Sequence, residues 1–388
     1  MSRIYFDYNA TTPLDPEVNT YIKTVMEESH GNPSSIYEEG ISSYKIIENS
    51  RKHIGELLNC LPEEIYFTGC GSEANNLAIK GSAFANWGNK NHIVTTISEH
   101  PAVINTCKWL EGFGIKTTYL PVNRKGIINT SDLRDAITDK TFLVSIMMAN
   151  NETGTLQPIK ECVQIARDQN VLFHTDAVQA VGKIPIDVEE LGVDMLSLAG
   201  HKFYAPKGIG VLYIRNGVQL HSLIHGGVQE RGLRAGTENL FGIAGLGKAA
   251  ELANTRMLGR GSIKKMRDKL ESDLFTMIPE AILNSPLEER LPNTINITLP
   301  GLRGDAIVVE MDKRGFAISS GSACHAGSAK PSGVLLAMGL SEAEAHSTLR
   351  ISLGYHTTEE EVILFTSALK DLCENMKDKI MLVSGGRN

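Results

Sequence analysis

The sequence predicts an α/β protein of two domains, a larger one built on a mostly parallel β-sheet and a smaller one of α+β type. Three observations carry this. Between about residues 60 and 215, short apolar runs alternate with longer stretches of helical spacing. Such alternation demands crossover connections, which lay helices on both faces of a parallel sheet. The chain has 388 residues, more than one simple core accommodates. Finally, a long helical stretch at about 239–274 separates this region from a C-terminal part with its own strands.

The elements follow in order. Residues 1–7 read as a strand already. Residues 64–68 form the first apolar run, and a glycine-containing loop leads from it into a helix over 72–85. The run at 92–96 precedes a helix that extends through Cys107 and Leu110. Further strands are expected at 117–120 and 142–147, then a helix over 158–167, then strands at 171–174, 195–198 and 210–214. A loop containing Gly226, Gly227, Gly232 and Gly236 precedes the long helical stretch, which carries the chain out of the first domain. Beyond it, strands are expected at 294–297, 306–310 and 349–352, with a closing helix over 359–378 and a polar tail. The boundaries expected are 1–15 for an N-terminal segment packed with the small domain, 16–254 for the large domain and 255–388 for the small one.

Composition narrows the function classes. A 42% hydrophobic and 21% charged make-up is that of an ordinary globular protein. No apolar run approaches the roughly 18 residues that span a bilayer, and the start lacks a signal-like apolar segment, so a cytoplasmic protein without membrane contact is expected. With 38 basic and 45 acidic residues, the chain has no basic footprint for broad nucleic-acid binding. Its six cysteines are too sparse for a disulfide framework and form no C-x-x-C pair, so no metal site is expected.

In parallel sheets, ligands sit beyond the carboxyl ends of the strands, so polar residues just after strands are the ones to test. Lys202 follows a strand beside His201 and a Gly/Pro turn; it is either ligand-facing or an ordinary solvated lysine. Asp176, at the end of another strand, suits either a pyridinium nitrogen or a helix N-cap. The stretch from Thr68 through Gly71 and Ser72 to Asn76 offers free N–H groups and a helix dipole to a phosphate, or is a capped helix start. His100, after a further strand, could lie over an aromatic ring or shuttle protons, or be structural. Together, a phosphate cradle, an Asp after a strand and a later lysine are what a pyridoxal-phosphate aldehyde requires.

At this point the sequence resembles the NifS- and IscS-like cysteine desulfurases, fold-type-I pyridoxal-phosphate enzymes. The resemblance runs nearly end to end. It includes Tyr5-Phe6-Asp7-Tyr8-Asn9-Ala10-Thr11-Thr12-Pro13, Gly31-Asn32-Pro33-Ser34-Ser35 and Ala149-Asn150-Asn151-Glu152-Thr153-Gly154. It continues through His174-Thr175-Asp176-Ala177-Val178-Gln179, Gly200-His201-Lys202, Arg234-Ala235-Gly236-Thr237-Glu238-Asn239 and Ser319-Ser320-Gly321-Ser322-Ala323-Cys324. It implies a large domain with a mostly parallel seven-stranded sheet and a smaller α+β domain carrying a catalytic cysteine loop at about 319–333.

The same resemblance implies the roles. Lys202 would join the cofactor, pyridoxal 5'-phosphate, as a Schiff base. Asp176 would pair with the pyridine nitrogen, Gln179 would bond the ring hydroxyl oxygen, and His100 would stack on the ring as acid/base. Gly71, Ser72 and His201 would hold the phosphate, joined by Thr237 from a second subunit, which implies a homodimer with shared active sites. Asn151, which would also contact the cofactor, and Arg350 would bind the carboxylate of L-cysteine, the guanidinium fork suiting a planar carboxylate. Two departures stand out. Ala199 replaces a hydroxyl found in many relatives, leaving one phosphate bond to Ser197 or water. Tyr355 stands where relatives often carry arginine.

Cys324 lies among small residues and glycines, with His325 and Lys330 near enough in sequence to lower a thiol pKa. By the resemblance it would take sulfur from cysteine as a persulfide and hand it to a sulfur-acceptor protein, for iron–sulfur cluster assembly or nucleic-acid thiolation. The other five cysteines read as structural, Cys70 as a small residue packed in the phosphate loop. A selenocysteine lyase is the nearest alternative, because Gln229-Glu230-Arg231 and Ala323-Cys324-His325 also resemble those enzymes. An aminotransferase on the same fold would not need Cys324, and a non-catalytic docking scaffold would not need Lys202, Asp176 or His100.

Overall fold

The computed structural model describes residues 3–256, 260–320 and 330–385. The chain opens with a short strand, β1 (Ile4–Tyr5), followed by helices α1 (Pro16–Glu28) and α2 (Glu38–Leu58). The central sheet is then built from β2 (Ile65–Thr68), β3 (His92–Thr96), β4 (Lys116–Leu120), β5 (Thr141–Ser145), β6 (Leu172–Asp176), β7 (Met195–Ala199) and β8 (Gly210–Ile214). These seven strands lie in the order β2-β8-β7-β6-β5-β3-β4. Only β8 runs against its neighbours; β7-β6-β5-β3-β4 are parallel.

The strands read as near-continuous apolar runs because both faces of the sheet are covered. Successive side chains enter different cores. Ile93, Leu143, Met195 and Leu212 pack in one cluster, whereas Val94, Val144, Leu196 and Val211 pack in the other. Helices α3 (Gly71–Ala85) and α4 (Pro101–Glu111) supply Leu77, Ile79, Val103 and Leu110 to the first. On the opposite face lie α1, α2 and the crossover α6 (Ile159–Asp168). Two short helices, α5 (Thr130–Ala136) and α7 (Val188–Leu191), complete the connections.

The helical stretch expected over 239–274 is two helices, α8 (Leu240–Arg256) and α9 (Arg260–Met277), and residues 257–259 lie outside the described part. Their partners explain the division. The buried side chains of α8, from Leu240 to Ala253, join the large-domain core, while Leu270 and Leu274 of α9 join the small-domain core.

In that second domain β12-β13-β10-β9 form an antiparallel sheet, from β9 (Ile282–Leu283), β10 (Thr294–Thr298), β12 (Ser319–Ser320) and β13 (Thr348–Ser352). A separate strand, β11 (Phe316–Ala317), pairs in parallel with β1. Residues 306–310, expected as a strand, lie instead in a helix, α10 (Gly304–Lys313). The run Ile307-Val308-Val309 is β-branched, but the burial is helical: Ile307 and Met311, four apart, are buried, whereas Val309 is exposed. Short helices α11 (Gly333–Ala337) and α12 (Glu342–His346) and the terminal α13 (Glu359–Gly385) finish the chain.

The N-terminal segment touches both domains. Phe6 packs edge-on to Phe365 at 5.2 Å. A few residues later the Thr12 amide donates to the His201 carbonyl, and the Asp15 amide to that of Tyr204. Among the described residues, no helix is long and apolar enough to cross a membrane.

Candidate active site

The carboxyl ends of β2, β3, β6 and β7 meet at one edge of the sheet, and a cavity of about 320 Å³ opens there. It gathers Gly71, Ser72, His100, Asn151, Asp176, Gln179, His201, Lys202 and Arg350, residues that the sequence reading selected from separate stretches. Thr237 is exposed and lies outside this cavity in its own chain. Cys324 falls outside the described residues.

Each side chain is set by its element. The loop after β2 turns into α3, where the Cys70 sulfur accepts from the Glu73 amide at 3.4 Å, and the Gly71 and Ser72 amides belong to the open first turn. A Cβ on Gly71 would come within 2.8 Å of Val178 and 3.2 Å of the Ala199 side chain, so a larger residue would displace the turn. Cys70 is exposed and lines the cavity, so it is not the packed small residue expected. By contrast Cys107, Cys162 and Cys373 are buried, and burial pushes their thiols up to about 12.

Asp176 ends β6 with its carboxylate held on two sides, by the Asn75 amide at 2.6 Å and the Val178 N–H at 3.0 Å. His100 caps α4, its Nδ1 accepting from the Ala102 N–H at 3.1 Å, so the neutral ring carries its proton on Nε2. Burial lowers the His100 pKa; Lys202 adds to this and Asp176 opposes it. Behind it, burial raises the Glu99 carboxyl to about 8, with the charge of Asp176 acting in the same direction. That acid accepts from the Met147 N–H at 2.7 Å and the Thr96 hydroxyl at 3.1 Å.

Lys202 sits in the turn after β7 and donates to the carbonyls of Asn9 and Ala10, each at 2.7 Å. Its neighbour His201 lies 3.1 Å from the Thr11 hydroxyl, and burial followed by the charge of Lys202 lowers its pKa to about 4. Arg350, on β13, is 2% exposed. It donates to Asp7 at 2.7 Å, to Ser319 at 3.1 Å and to the Asn151 carbonyl at 3.1 Å, which leaves its buried Nε without a partner.

Comparison with known proteins decides the family. The class-V aminotransferase profile matches residues 4–365. A cysteine desulfurase IscS of Clostridium botulinum is 45% identical over 379 residues, 97% of this chain and 96% of that protein. The chain belongs to the class-V aminotransferase family, among its IscS/NifS-type cysteine desulfurases. A solved NifS-like protein superposes with a TM-score of 0.90 at 39% identity, covering 96% of this chain and 99% of its own. SspA, solved in complex with cysteine, gives 0.80 at 41% identity, over 92% of this chain and 100% of that one.

Class-V aminotransferases imply pyridoxal 5'-phosphate, and the cavity's donor set fits it. A helix N-terminus without intrahelical partners suits a phosphate, and a fixed carboxylate suits a pyridinium. The Lys202 amine lines the same cavity from the turn after β7. The hydroxyl lost at Ala199 is not replaced by Ser197, as the sequence reading allowed. Ser197 is fully buried and bonds His174 at 2.9 Å, away from the cavity lining. Tyr355 is exposed beneath Arg256, whose guanidinium lies 4.7 Å from the ring centroid.

Some residues of this site were missed. Asp7 and Asn9 lay in a recognised motif without a role; their partners Arg350 and Thr294 are 343 and 285 residues away. Asn75, which holds Asp176 from 101 residues away, had no signal of its own, and Glu99 had none beyond its adjacency to His100. Lys183 had one weak signal, its position four residues after Gln179.

Proposed function

We propose that this chain converts L-cysteine to L-alanine and leaves the sulfur as a persulfide on Cys324, for transfer to an acceptor protein. The observation that carries the reading is the single cavity in which Lys202, Asp176, His100 and Arg350 converge. In it Gly71, Ser72 and His201 would hold the phosphate of pyridoxal 5'-phosphate, Asp176 the pyridine nitrogen, Gln179 the ring oxygen and Lys202 the aldehyde carbon. When bound, that cofactor supplies an electron sink for a carbanion at the substrate Cα.

The protein's own groups do the rest. The Arg350 guanidinium, with Asn151 beside it, takes the substrate carboxylate; its unpartnered Nε is a donor still to be satisfied. The Lys202 amine, once released, moves the proton from Cα. His100, kept neutral by burial, accepts a thiol proton at the cavity wall. Cys324 thiolate then attacks the substrate sulfur. The Cβ–S bond breaks, an S–S bond forms and Cβ gains a proton, so that cysteine plus enzyme thiol equals alanine plus enzyme persulfide without an external oxidant.

The described residues flanking the cysteine segment support this placement. Ser319 bonds both Asp7 and Arg350, and Ser332 bonds Glu152, one residue beyond Asn151. A homodimer completes the reading, with Thr237 reaching the partner's phosphate. Exposed Ile36, Tyr37, Ile41 and Tyr44, at and before the start of α2, and Phe241 on the adjoining α8 leave apolar surface for a second copy to cover. The test is Cys324→Ser. It should keep the visible absorbance of the loaded cofactor but form neither alanine nor sulfide from cysteine; full turnover by this variant would remove Cys324 from the reaction.

A further inference from the structure

Lys183 is the lysine beside the catalytic one that the reaction does not use. It donates to the Gln179 Oε1 at 2.6 Å and to the Asn9 Oδ1 at 2.9 Å. Gln179 in turn donates from Nε2 to the Asn9 carbonyl at 2.9 Å, the same carbonyl that receives Lys202. Asn9 is pinned as well: its Nδ2 donates to Thr294 at 2.9 Å, and Asn293 donates to its Oδ1 at 3.2 Å. Lys202, Gln179 and Lys183 therefore form one connected network through the backbone carbonyl and side chain of Asn9, tied through Asn293 and Thr294 to the small domain.

An amide side chain has one accepting end and one donating end, and its neighbours decide which end faces where. Lys183 offers N–H groups to Oε1, and the Asn9 carbonyl takes one N–H of Nε2. The second N–H of Nε2 is then left to donate into the cavity that Gln179 lines. Burial, followed by the charges of Lys202 and Arg350, lowers the Lys183 pKa well below the usual lysine value. Two of its N–H groups are used here, so this side chain is tied to the two amides.

We propose that Lys183 is a positioning residue for the cofactor: by occupying the oxygen end of Gln179 it keeps an amide N–H, not a carbonyl oxygen, turned toward the anionic oxygen of the pyridine ring. The inference rests on the reading that Gln179 faces that ring oxygen. Without Lys183, the Asn9 carbonyl alone orients the amide, and a turned amide sets oxygen against oxygen. Donation to the ring oxygen makes the chromophore formed with Lys202 easier to deprotonate, so its loss raises the apparent pKa of that chromophore.

The test titrates the visible absorbance of the full-length chain loaded with pyridoxal 5'-phosphate, before any cysteine is added. Lys183→Met should raise the apparent chromophore pKa by about one, a tenfold change in proton affinity. Gln179→Leu should raise it by a similar amount, and Lys183→Met should add nothing in that background, the non-additivity expected of two residues acting as one. An unchanged pKa in Lys183→Met, or a full further rise in the Gln179→Leu background, overturns the positioning role while leaving Gln179 at the ring. An unchanged pKa in Gln179→Leu overturns the reading beneath it as well.

Discussion

Arg350 is enclosed by Asp7, Ser319 and the Asn151 carbonyl, so its charge is paired before any substrate arrives. Arg350→Lys keeps a cation for Asp7 but loses the planar fork and the donor at Nε. The KM for cysteine should rise roughly tenfold or more, the worth of a charge-assisted hydrogen bond, with the loaded-cofactor spectrum unchanged. Glu99 makes a second prediction. Its folded-state pKa, about 8, lies above the ordinary value of 4.5, so the folded chain holds this proton more tightly than the unfolded one. The stabilisation is complete below pH 4.5 and is lost as pH rises through about 8. Glu99→Gln, neutral throughout, should therefore gain in melting temperature relative to the parent as pH climbs from 5 to 9. The gain should be equivalent to a few kcal/mol, since each tenfold difference in proton affinity is worth about 1.4 kcal/mol. A constant difference across that range would show that Glu99 is ionised in the fold. Residues that follow strands, such as Lys202 and Asp176, were legible because strand ends mark ligand positions. Asn75 was not, because its partner Asp176 lies 101 residues away and nothing local announces the contact.

At the scale of elements, the first turn of α3 carries the phosphate end of the account. Its closeness to Val178 and Ala199 leaves no room for a side chain at Gly71. Gly71→Val should weaken pyridoxal 5'-phosphate binding at least about tenfold by equilibrium dialysis, since displacing the turn removes hydrogen bonds to a charged group. Unaltered binding would place the phosphate elsewhere. Most of the seven sheet strands were readable from apolar runs because both faces of the sheet are buried, the half-exposed edge strand β4 excepted. The helix α10 was not, because three consecutive β-branched residues imitate a strand, and only the burial of Ile307 and Met311 reveals the helical period. The separation of α8 from α9 was hidden for a related reason: both are helical, and what distinguishes them is which core each one enters.

For the whole molecule, the proposed dimer makes a complementation prediction. Lys202→Ala and Thr237→Val chains should each show little or no desulfuration. Mixed in one dimer, they rebuild one intact site, because the chain that keeps Lys202 receives Thr237 from its partner. Activity should recover toward half that of the parent dimer; recovery no greater than the sum of the separate variants would deny that Thr237 acts across the interface. The order of motifs along the chain made the family legible, whereas the role of the N-terminal segment, which ties β11 and the Lys202 turn together, needed three dimensions to see. The most direct measurement is borohydride reduction of the full-length chain loaded with pyridoxal 5'-phosphate, followed by peptide mass mapping. The expected product carries a phosphopyridoxyl group on Lys202; the label on Lys183, or on any lysine outside the cavity, would contradict this assignment.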